Sequence, residues 1–374
     1  MDKITGLELR STVTSDGRLV LDLAEMTLDP PGADEVMVRV EAAPINPSDI
    51  GLLFGPADPR TIERGGTPDR PTLTATMPER ALAGLKARLD QPSPVGNEGA
   101  GTVLHAGENA RHLMGKRVGM LGGAMYAQYR KLPARDCVAL PDDASAADGA
   151  SMFVNPLTAL GFTETMRAEG HSAIVHTAAA SNLGQMLNRI CLKDGIPLVS
   201  IVRSEAQRQL LLEQGATHVV DISAEGYEAA LTEAIAETGA TIAFDAIGGG
   251  NQAARILAAM ETAAQRKMTA YSRYGSDVFK QVYIYGALDP SPTVLDRWVG
   301  LTWSVGGWLL TPFLTKLGLE GIMRLRARVL AELKTTFASH YTATISLREA
   351  LDPDIARAYL RRATGEKYLI DPSR

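Results

Sequence analysis

The sequence contains few cysteines and no run of basic residues, and its first residues lack the pattern expected of a secretory leader. Its 374 residues include only two cysteines, Cys137 and Cys191, too few for a zinc site built from four cysteines. Two cysteines far apart in a chain of this length favour a reducing compartment, so we expect a cytoplasmic protein. The N-terminus has neither the apolar core of a signal peptide nor arginine-rich transit character.

The charge and hydropathy patterns argue against nucleic acid and membrane as partners. The net charge is −5 without any basic cluster, so no nucleic-acid-binding surface is expected. The most apolar part of the C-terminal third, residues 298–317, is interrupted by Gly306, Gly307 and Pro312 and contains Lys316. We therefore interpret it as a buried helix or pocket wall, not as a membrane span. The length and the 45% hydrophobic content suit two domains with separate cores.

What is present is a segment, residues 171–203, whose pattern alternates between strand and helix. Apolar runs over residues 172–177 and 197–203 predict two buried strands. Between them, apolar residues recur at helical spacing from Leu183 to Cys191, and Gly195 ends the predicted helix. The order predicts a βαβ unit of the size that binds a dinucleotide.

The turn before this helix has small residues where the dinucleotide-binding pattern G-x-G-x-x-G has three glycines. Ala179, Ser181 and Gly184 occupy the three positions. Gly184 would let the helix pack closely on the strand, and the amides at the helix N-terminus, including Asn182 and Leu183, would hold a pyrophosphate. A tight turn in any α/β protein would explain the same pattern, so both interpretations remain open at this point.

The end of the second strand carries positive charge. An NAD site usually has Asp or Glu about 20 residues beyond the turn, to bind the ribose diol. Here Arg203 and Ser204 follow the strand, and Arg208 lies about one helical turn later. Guanidinium groups suit a 2′-phosphate, so this segment predicts NADP(H). The alternative is that Arg203 is a solvated residue at a strand end.

The rest of the middle segment continues the alternation of strands and helices. Strands are predicted at residues 218–221, 242–247 and 281–287, with helices between them, which indicates a parallel doubly wound sheet. Glycines 248–250 follow one predicted strand and would approach the cofactor. Residues 281–287 are predicted to be an apolar edge strand, through which two copies could pair as a homodimer.

Several motifs resemble the medium-chain dehydrogenase/reductase superfamily. They are A-A-P-I-N-P-S-D-I (42–50), P-V-G-N-E-G-A-G-T-V-L-H-A-G (94–107), F-V-N-P-L-T-A-L (153–160), F-D-A-I-G-G-G (244–250) and Y-I-Y-G-A (283–287). The chain is most similar to the zinc-independent branch, which includes quinone oxidoreductases and 2-enoyl thioester reductases. The resemblance implies an α/β protein with two domains. A GroES-like, β-rich catalytic domain would span 1–143 and 318–374, and a Rossmann domain with a doubly wound parallel sheet would span 144–317.

The resemblance also implies a site without metal. Metal-dependent members have a cysteine near position 46 and a His-Glu pair in the G-N-E-G segment, where this chain has Asn46 and Asn97. An asparagine amide is a poor zinc ligand, so no metal is expected and a zinc alcohol dehydrogenase is disfavoured.

The implied reaction is hydride transfer from NADPH to a small molecule with an activated C=C bond, or to a quinone. Asn46 is the first candidate for a polar group beside the nicotinamide or substrate, and Tyr126 is a candidate hydroxyl, although a core tyrosine is the other interpretation. Asn155 and Thr158 are candidate cofactor contacts. Asn46 and Asn155 both precede proline, so a role in a helix cap or a turn is the alternative for each. The remaining predicted cofactor contacts are Gly248, Tyr285 and Gly286.

Two further functions remain open. The chain could be a 2-enoyl thioester reductase of fatty acid metabolism, although the tyrosine that follows I-N-P-S-D-I in those enzymes is absent here. It could also be a non-catalytic NADPH-binding adaptor.

An insertion at about residues 56–93 exceeds the length that the resemblance implies. It is polar and rich in proline, and Ala81, Leu82, Leu85 and Leu89 then recur at helical spacing, which predicts a helix over 78–89. The insertion could form a lid or wall of the substrate cleft, or a surface excursion or dimer contact.

Overall fold

The computed structural model describes residues 2–296 and 298–374, and the chain forms two compact units. Unit 1 is Met1–Val154 with Leu330–Arg374, and unit 2 is Asn155–Val329. The sequence predicted domain boundaries at 143/144 and 317/318, and both lie earlier in the chain than the observed boundaries at 154/155 and 329/330. At the first crossing, the extra residues belong to unit 1 because Met152 packs against Gly119 of its sheet.

The N-terminal part of unit 1 is built mainly of antiparallel strands. The strands are β1 (Ile4–Val13), β2 (Arg18–Leu28), β3 (Glu35–Pro44), β4 (Glu63–Gly66), β5 (Pro71–Thr76), β6 (Ser93–Pro94), β7 (Glu98–Ala106), β8 (Arg117–Leu121), β9 (Tyr129–Pro133) and β10 (Cys137–Ala139), and the helices are α1 (Pro47–Leu53), α2 (Glu79–Leu82) and α3 (Ala146–Gly149). One sheet has the order β4-β5-β2-β1-β6. In β3, Val36, Val38 and Val40 are buried on one face, and Met37 is buried on the other.

The insertion is part of this architecture. Its strands β4 and β5 extend the first sheet through β2, and Leu73 and Ala75 of β5 are buried in the core of unit 1. Arg88 donates from its Nη2 to the Ser11 hydroxyl at 2.7 Å and to the Leu52 carbonyl at 2.6 Å, which fastens the insertion to β1 and α1. The predicted helix is confirmed as α2 and a following 3₁₀ turn, Ala83–Arg88. The strands were missed because β4 is wholly exposed and β5 begins with proline.

Unit 2 contains the predicted parallel sheet. Its strands are β11 (Ile174–His176), β12 (Leu198–Val202), β13 (His218–Asp221), β14 (Ile242–Asp245), β15 (Gly248–Gly250), β16 (Lys280–Ile284), β17 (Asp289–Thr293) and β18 (Trp303–Gly307), and its helices are α4 (Val154–Ala168), α5 (Asn182–Asp194), α6 (Glu205–Glu213), α7 (Tyr227–Thr238), α8 (Gln252–Gln265) and α9 (Leu310–Ala331). The sheet order is β13-β12-β11-β14-β16-β18, with all pairs parallel. This is the doubly wound dinucleotide-binding order, so the predicted α/β class is confirmed.

One predicted edge strand is wrong. β16 lies between β14 and β18, so residues 281–287 are not at the edge. The edges of the sheet are β13 and β18, and β18 lies within the segment interpreted from its apolar composition as a buried helix or pocket wall. The strand forms because residues 303–307 pair in register with β16, a long-range partner that local composition does not reveal. No helix in the described part of the chain is long and apolar enough to cross a membrane.

A buried ion pair fastens the start of β16. The Lys280 Nζ lies 2.5 Å from the Glu261 Oε2, and the two side chains are 0% and 2% exposed. Glu261 also accepts from the backbone amide and the hydroxyl of Ser276, each at 2.7 Å. The pair therefore connects α8, β16 and the segment between them.

The C-terminal segment returns to unit 1. It adds β19 (Ala343–Ile345), α10 (Pro353–Leu360) and β20 (Tyr368–Ile370). β20 pairs antiparallel with β3, which places Lys367 close to the start of α1.

Candidate cofactor turn and buried polar cluster

The turn between β11 and α5 has the compactness that the sequence predicts. An added Cβ on Gly184 would lie 2.2 Å from the Ala179 carbonyl oxygen, so glycine is required there and its predicted packing role is confirmed. The Ser181 hydroxyl accepts from the Gly184 amide at 3.1 Å and caps α5, which begins at Asn182. Ala178, before Ala179, has φ of 51°, a left-handed conformation that is uncommon for alanine.

Ser181 and Gly184, two of the predicted cofactor contacts at this turn, therefore have structural roles. Ser181 is occupied as the N-cap, so its hydroxyl serves the helix. The first backbone amides of α5, including Leu183, lie at the positive end of a helix of 13 residues, where an anion is favoured.

The end of β12 presents an exposed guanidinium. Arg203 is exposed, its backbone amide donates to the Gln207 Oε1 at 3.0 Å, and Ser204 caps α6. Arg208 is held by Glu205, with Nη1 and Oε1 3.2 Å apart. Within the described residues, only Arg208 of these two arginines forms an ion pair, so Arg203 has the more available charge.

The end of β14 is locked to the same turn by groups that sequence reasoning missed. The Asp245 carboxylate is fully buried and accepts from the Thr177 hydroxyl at 2.7 Å and from the Gly248 amide at 3.2 Å. The Thr177 hydroxyl in turn accepts from the Ala246 amide at 2.8 Å. The available signal was the aspartate within F-D-A-I-G-G-G, at the carboxyl end of a predicted strand.

The glycine run after β14 is explained by strand pairing. β15 pairs with β17, and an added Cβ on Gly249 would lie 2.6 Å from the Ser291 carbonyl oxygen. Gly248 and Gly286 approach each other, since a Cβ on Gly248 would lie 2.6 Å from the Gly286 oxygen. Both predicted contact residues therefore need glycine for packing, whether or not a cofactor lies beside them.

A groove lies at the carboxyl ends of β16 and β18. It has a volume of about 480 Å³. Its lining residues are Ile284, Tyr285, Gly286, Ala287, Gly307, Trp308, Leu309 and Pro312. The Trp308 Nε1 donates to the Thr165 hydroxyl at 3.1 Å, and its ring centroid is 4.9 Å from that of Phe162. Trp308, which was not a predicted site residue, is thus a fixed aromatic wall.

Tyr285 is anchored from behind by a histidine. Its hydroxyl lies 2.8 Å from the Nε2 of His176, a side chain with no exposed surface. Burial lowers the pKa of His176 to about 3, so the imidazole is neutral at physiological pH. Burial also raises the pKa of Tyr285 well above its usual range, which keeps that hydroxyl protonated.

In unit 1, Asn46 begins α1 and is buried. It is only 1% exposed, and its Nδ2 donates to the Glu98 Oε1 at 2.8 Å. Its backbone amide donates to the Asp49 Oδ2 at 2.8 Å in a capping box. The structure thus gives Asn46 the capping role that its position before proline suggested. The more accessible polar atoms of this segment are the Ser48 hydroxyl and the Asn97 amide, 3.0 Å apart.

A cluster of ionisable groups surrounds this cap. Glu98 and Asp49 are buried; burial raises the pKa of both carboxyls, that of Asp49 to about 7. Burial lowers the pKa of Lys367 to about 8, against the opposing attraction of both carboxylates. The Lys367 Nζ donates to the Ser151 hydroxyl at 2.7 Å. Among the described residues, no group of three or more His, Cys, Asp or Glu side chains could hold a metal.

The structure places three other predicted residues inside the protein. Tyr126 has no exposed surface, and its hydroxyl donates to the Pro44 carbonyl at 2.9 Å. Burial raises the pKa of Tyr126 well above its usual range. This placement favours the core interpretation of Tyr126 over a proton donor. Asn155 and Thr158 lie in the first two turns of α4 and are each 7% exposed.

Comparisons with known proteins agree with this architecture. Residues 32–142 match the GroES-like domain of alcohol dehydrogenases. The mitochondrial enoyl-acyl-carrier-protein reductase of Xenopus tropicalis is 28% identical over 214 residues, which are 54% of this chain and 52% of the relative. The chain thus spans about half the length of the curated relatives it matches.

Solved structures cover the chain more fully. A protein assigned as an NADPH:quinone reductase from Mesorhizobium loti is 25% identical, with a TM-score of 0.72 over 100% of this chain and 99% of its own. The Escherichia coli quinone oxidoreductase in complex with NADPH gives a TM-score of 0.68 at 19% identity, over 99% and 100% of the two chains. The resemblance to the medium-chain dehydrogenase/reductase superfamily is thereby confirmed.

Proposed function

We propose that this chain is an NADPH-dependent reductase that transfers a hydride, without a metal, to a small molecule with an activated C=C bond or to a quinone. The observation that carries the proposal is the exposed guanidinium of Arg203 at the end of β12, which forms no ion pair with any residue that the structure describes. It lies in a sheet of dinucleotide-binding order, one strand away from the compact turn that begins α5.

The residues present fit NADP(H). The backbone amides at the start of α5 offer donors to a pyrophosphate, and Gly184 leaves no side chain between helix and strand. Arg203 supplies a cation for a 2′-phosphate, with Ser204 and the N-terminus of α6 beside it. NADPH supplies the hydride when bound; the protein binds and orients it and excludes water.

The groove at the carboxyl ends of β16 and β18 gives unit 2 a surface that suits a flat ligand. Trp308 and Leu309 give it an apolar lining, while Gly286 and Gly307 leave backbone accessible. This composition suits the nicotinamide ring or a conjugated acceptor that must lie against it. We retain Asn155, Thr158, Gly248, Tyr285 and Gly286 as proposed cofactor contacts, and Asn46 as a residue that shapes the site through its cap.

Arg203→Ala tests the cofactor assignment, with Arg208→Ala as the matched control. A charge-assisted hydrogen bond contributes about 1.5–3 kcal/mol, so the KM for NADPH should rise at least about tenfold in Arg203→Ala. The KM for NADH should stay nearly unchanged. Arg208→Ala should have the smaller effect because Glu205 already engages Arg208. An equal effect of Arg203→Ala on both cofactors would contradict the assignment.

A 2-enoyl thioester reductase is the second candidate, favoured by the name of the Xenopus tropicalis relative. Steady-state oxidation of NADPH with quinones, enones and enoyl thioesters separates the candidates. A thioester kcat/KM well above that of every quinone and enone would select the second. NADPH binding without turnover of any acceptor would instead indicate a non-catalytic adaptor.

The metal-free mechanism has its own test. Asn46 and Asn97 occupy the positions where metal-dependent relatives have ligands, and Asn46 donates to Glu98. Elemental analysis should find less than stoichiometric zinc, and chelator should leave activity unchanged. Stoichiometric zinc with chelator-sensitive turnover would overturn this part.

We also propose a homodimer that pairs through β18, the edge strand next to β16. Trp298 and Leu301, which precede β18 in the chain, are 88% and 71% exposed, and an unpaired edge strand invites pairing. Light scattering at micromolar concentration should give twice the chain mass, and a monomeric mass would refute the dimer. A cytoplasmic location, inferred from the two cysteines, is testable by cell fractionation.

A further inference from the structure

Three sequence motifs meet at one buried carboxylate. Glu98, from the G-N-E-G segment, has no exposed surface. Its Oε1 accepts from the Nδ2 of Asn46 in I-N-P-S-D-I at 2.8 Å. Its Oε2 accepts from the backbone amides of Phe153 and Val154, which open F-V-N-P-L-T, at 2.8 and 2.9 Å.

We propose that Glu98 is a positioning residue for the reductase site, an inference that rests on the proposed function. It acts through the groups it holds: the N-cap of α1 and the first backbone amides of α4. These are the starts of two of the segments from which site residues were predicted, those of Asn46 and of Asn155. The Glu98 side chain thus links Asn46 directly to Val154.

The neighbouring charges show why a carboxylate is suited to this position. Lys367 attracts Glu98 and opposes the effect of burial, which raises the pKa of the Glu98 carboxyl. Lys367 is itself tied to Ser151, two residues before Phe153, through the 2.7 Å bond from its Nζ. Asp49 is the second carboxyl of the cluster and also interacts with Lys367 and Glu98. The cluster therefore contains two carboxyls and one amine, so removing one member unbalances the others.

Glutamine has the shape of Glu98 but cannot reproduce its contacts. Both oxygens of Glu98 accept hydrogen bonds, whereas a glutamine amide has one accepting oxygen and one donating nitrogen. In Glu98→Gln, the Phe153 and Val154 amides can keep the glutamine oxygen only if the Asn46 side-chain amide turns over to accept from the glutamine nitrogen. That turn moves the Asn46 oxygen away from the capping box at the start of α1, so the result is a local rearrangement at Asn46 and not simply a lost charge.

The test compares Glu98→Gln, Lys367→Met and the double variant. Either single change leaves an unbalanced buried group and should lower stability. The double variant removes one charge of each sign, so its unfolding midpoint should recover the part of the loss that comes from charge imbalance, while the changed hydrogen bonds at Asn46 remain. If Glu98 positions the site, kcat in the double variant should remain at least about tenfold below wild type, since a small misplacement of reacting groups slows the chemical step. The KM for NADPH should change less than about twofold, because Arg203 and the α5 turn are untouched.

The side-chain amide signals of Asn46 in a ¹H–¹⁵N NMR spectrum give a readout that needs no turnover. They should move in Glu98→Gln and in the double variant, but much less in Lys367→Met. Wild-type kcat in the double variant, or unmoved Asn46 signals, would overturn the proposal. Failure of both Glu98 variants to fold would also overturn it, since positioning would then be inseparable from folding. If the wild type reduces no acceptor, the proposed function fails, while the NMR comparison still reports whether Glu98 holds Asn46.

Discussion

Asp49 should make the stability of unit 1 fall between mildly acidic and neutral pH, and Asp49→Asn should remove that dependence. Asp49 is 1% exposed. Burial is the largest cause that raises the pKa of its carboxyl from 3.8 to about 7, and Glu98 adds to it. Backbone amides of Asn46 and Asn97, and the charge of Lys367, act in the opposite direction.

The sign and size follow from proton linkage. The folded protein binds the Asp49 proton more tightly than the unfolded chain does, so this stabilisation is complete below pH 3.8 and is lost as pH rises to about 7. A pKa difference of about 3, at about 1.4 kcal/mol for each pKa unit, sets a ceiling of about 4 kcal/mol. The pKa of Lys367 is about 8, so Lys367 titrates largely above this window.

The assay is urea unfolding of wild type and Asp49→Asn from pH 4 to pH 8. The unfolding of unit 1 should be monitored by hydrogen exchange of its peptides. Tryptophan fluorescence would report on unit 2, because all three tryptophans, Trp298, Trp303 and Trp308, lie there. Other carboxyls titrate in both proteins, so the informative quantity is wild-type stability minus variant stability. This difference should fall with rising pH and level off above about pH 7. A flat or rising difference would refute the account of Asp49.

Three further predictions address other parts of the fold. Gly184→Ala places a carbon 2.2 Å from the Ala179 oxygen and should weaken NADPH binding, measured by nicotinamide fluorescence; unchanged affinity would show that the turn tolerates a side chain. Lys280→Met leaves Glu261 buried without its cation and should cost about 3–5 kcal/mol in tryptophan-monitored unfolding, with recovery when Glu261→Leu is added; no loss would mean that the pair is dispensable. Tyr126→Phe should cost about 1 kcal/mol of stability and leave kcat unchanged, whereas a large fall in kcat would restore Tyr126 as a proton donor.

The sequence by itself determined the features that depend on neighbouring residues. The strand, turn and helix around Gly184, and the cation at Arg203, follow from periodicity and turn chemistry within about 30 residues. The helix in the insertion followed from the same periodicity. The α/β class followed from the repeated alternation of such segments, because each helix and strand must bury its apolar side against a neighbour.

Tertiary structure alone decided which distant residues became partners. Glu98 joins Asn46 to the start of α4, and Lys367 reaches that cluster only because β20 pairs with β3. β18 became an edge strand, and Trp308 a groove wall, because residues 303–307 pair in register beside β16. Nothing local specifies such pairings: they are set by which burial and hydrogen-bonding arrangement satisfies the whole chain at once.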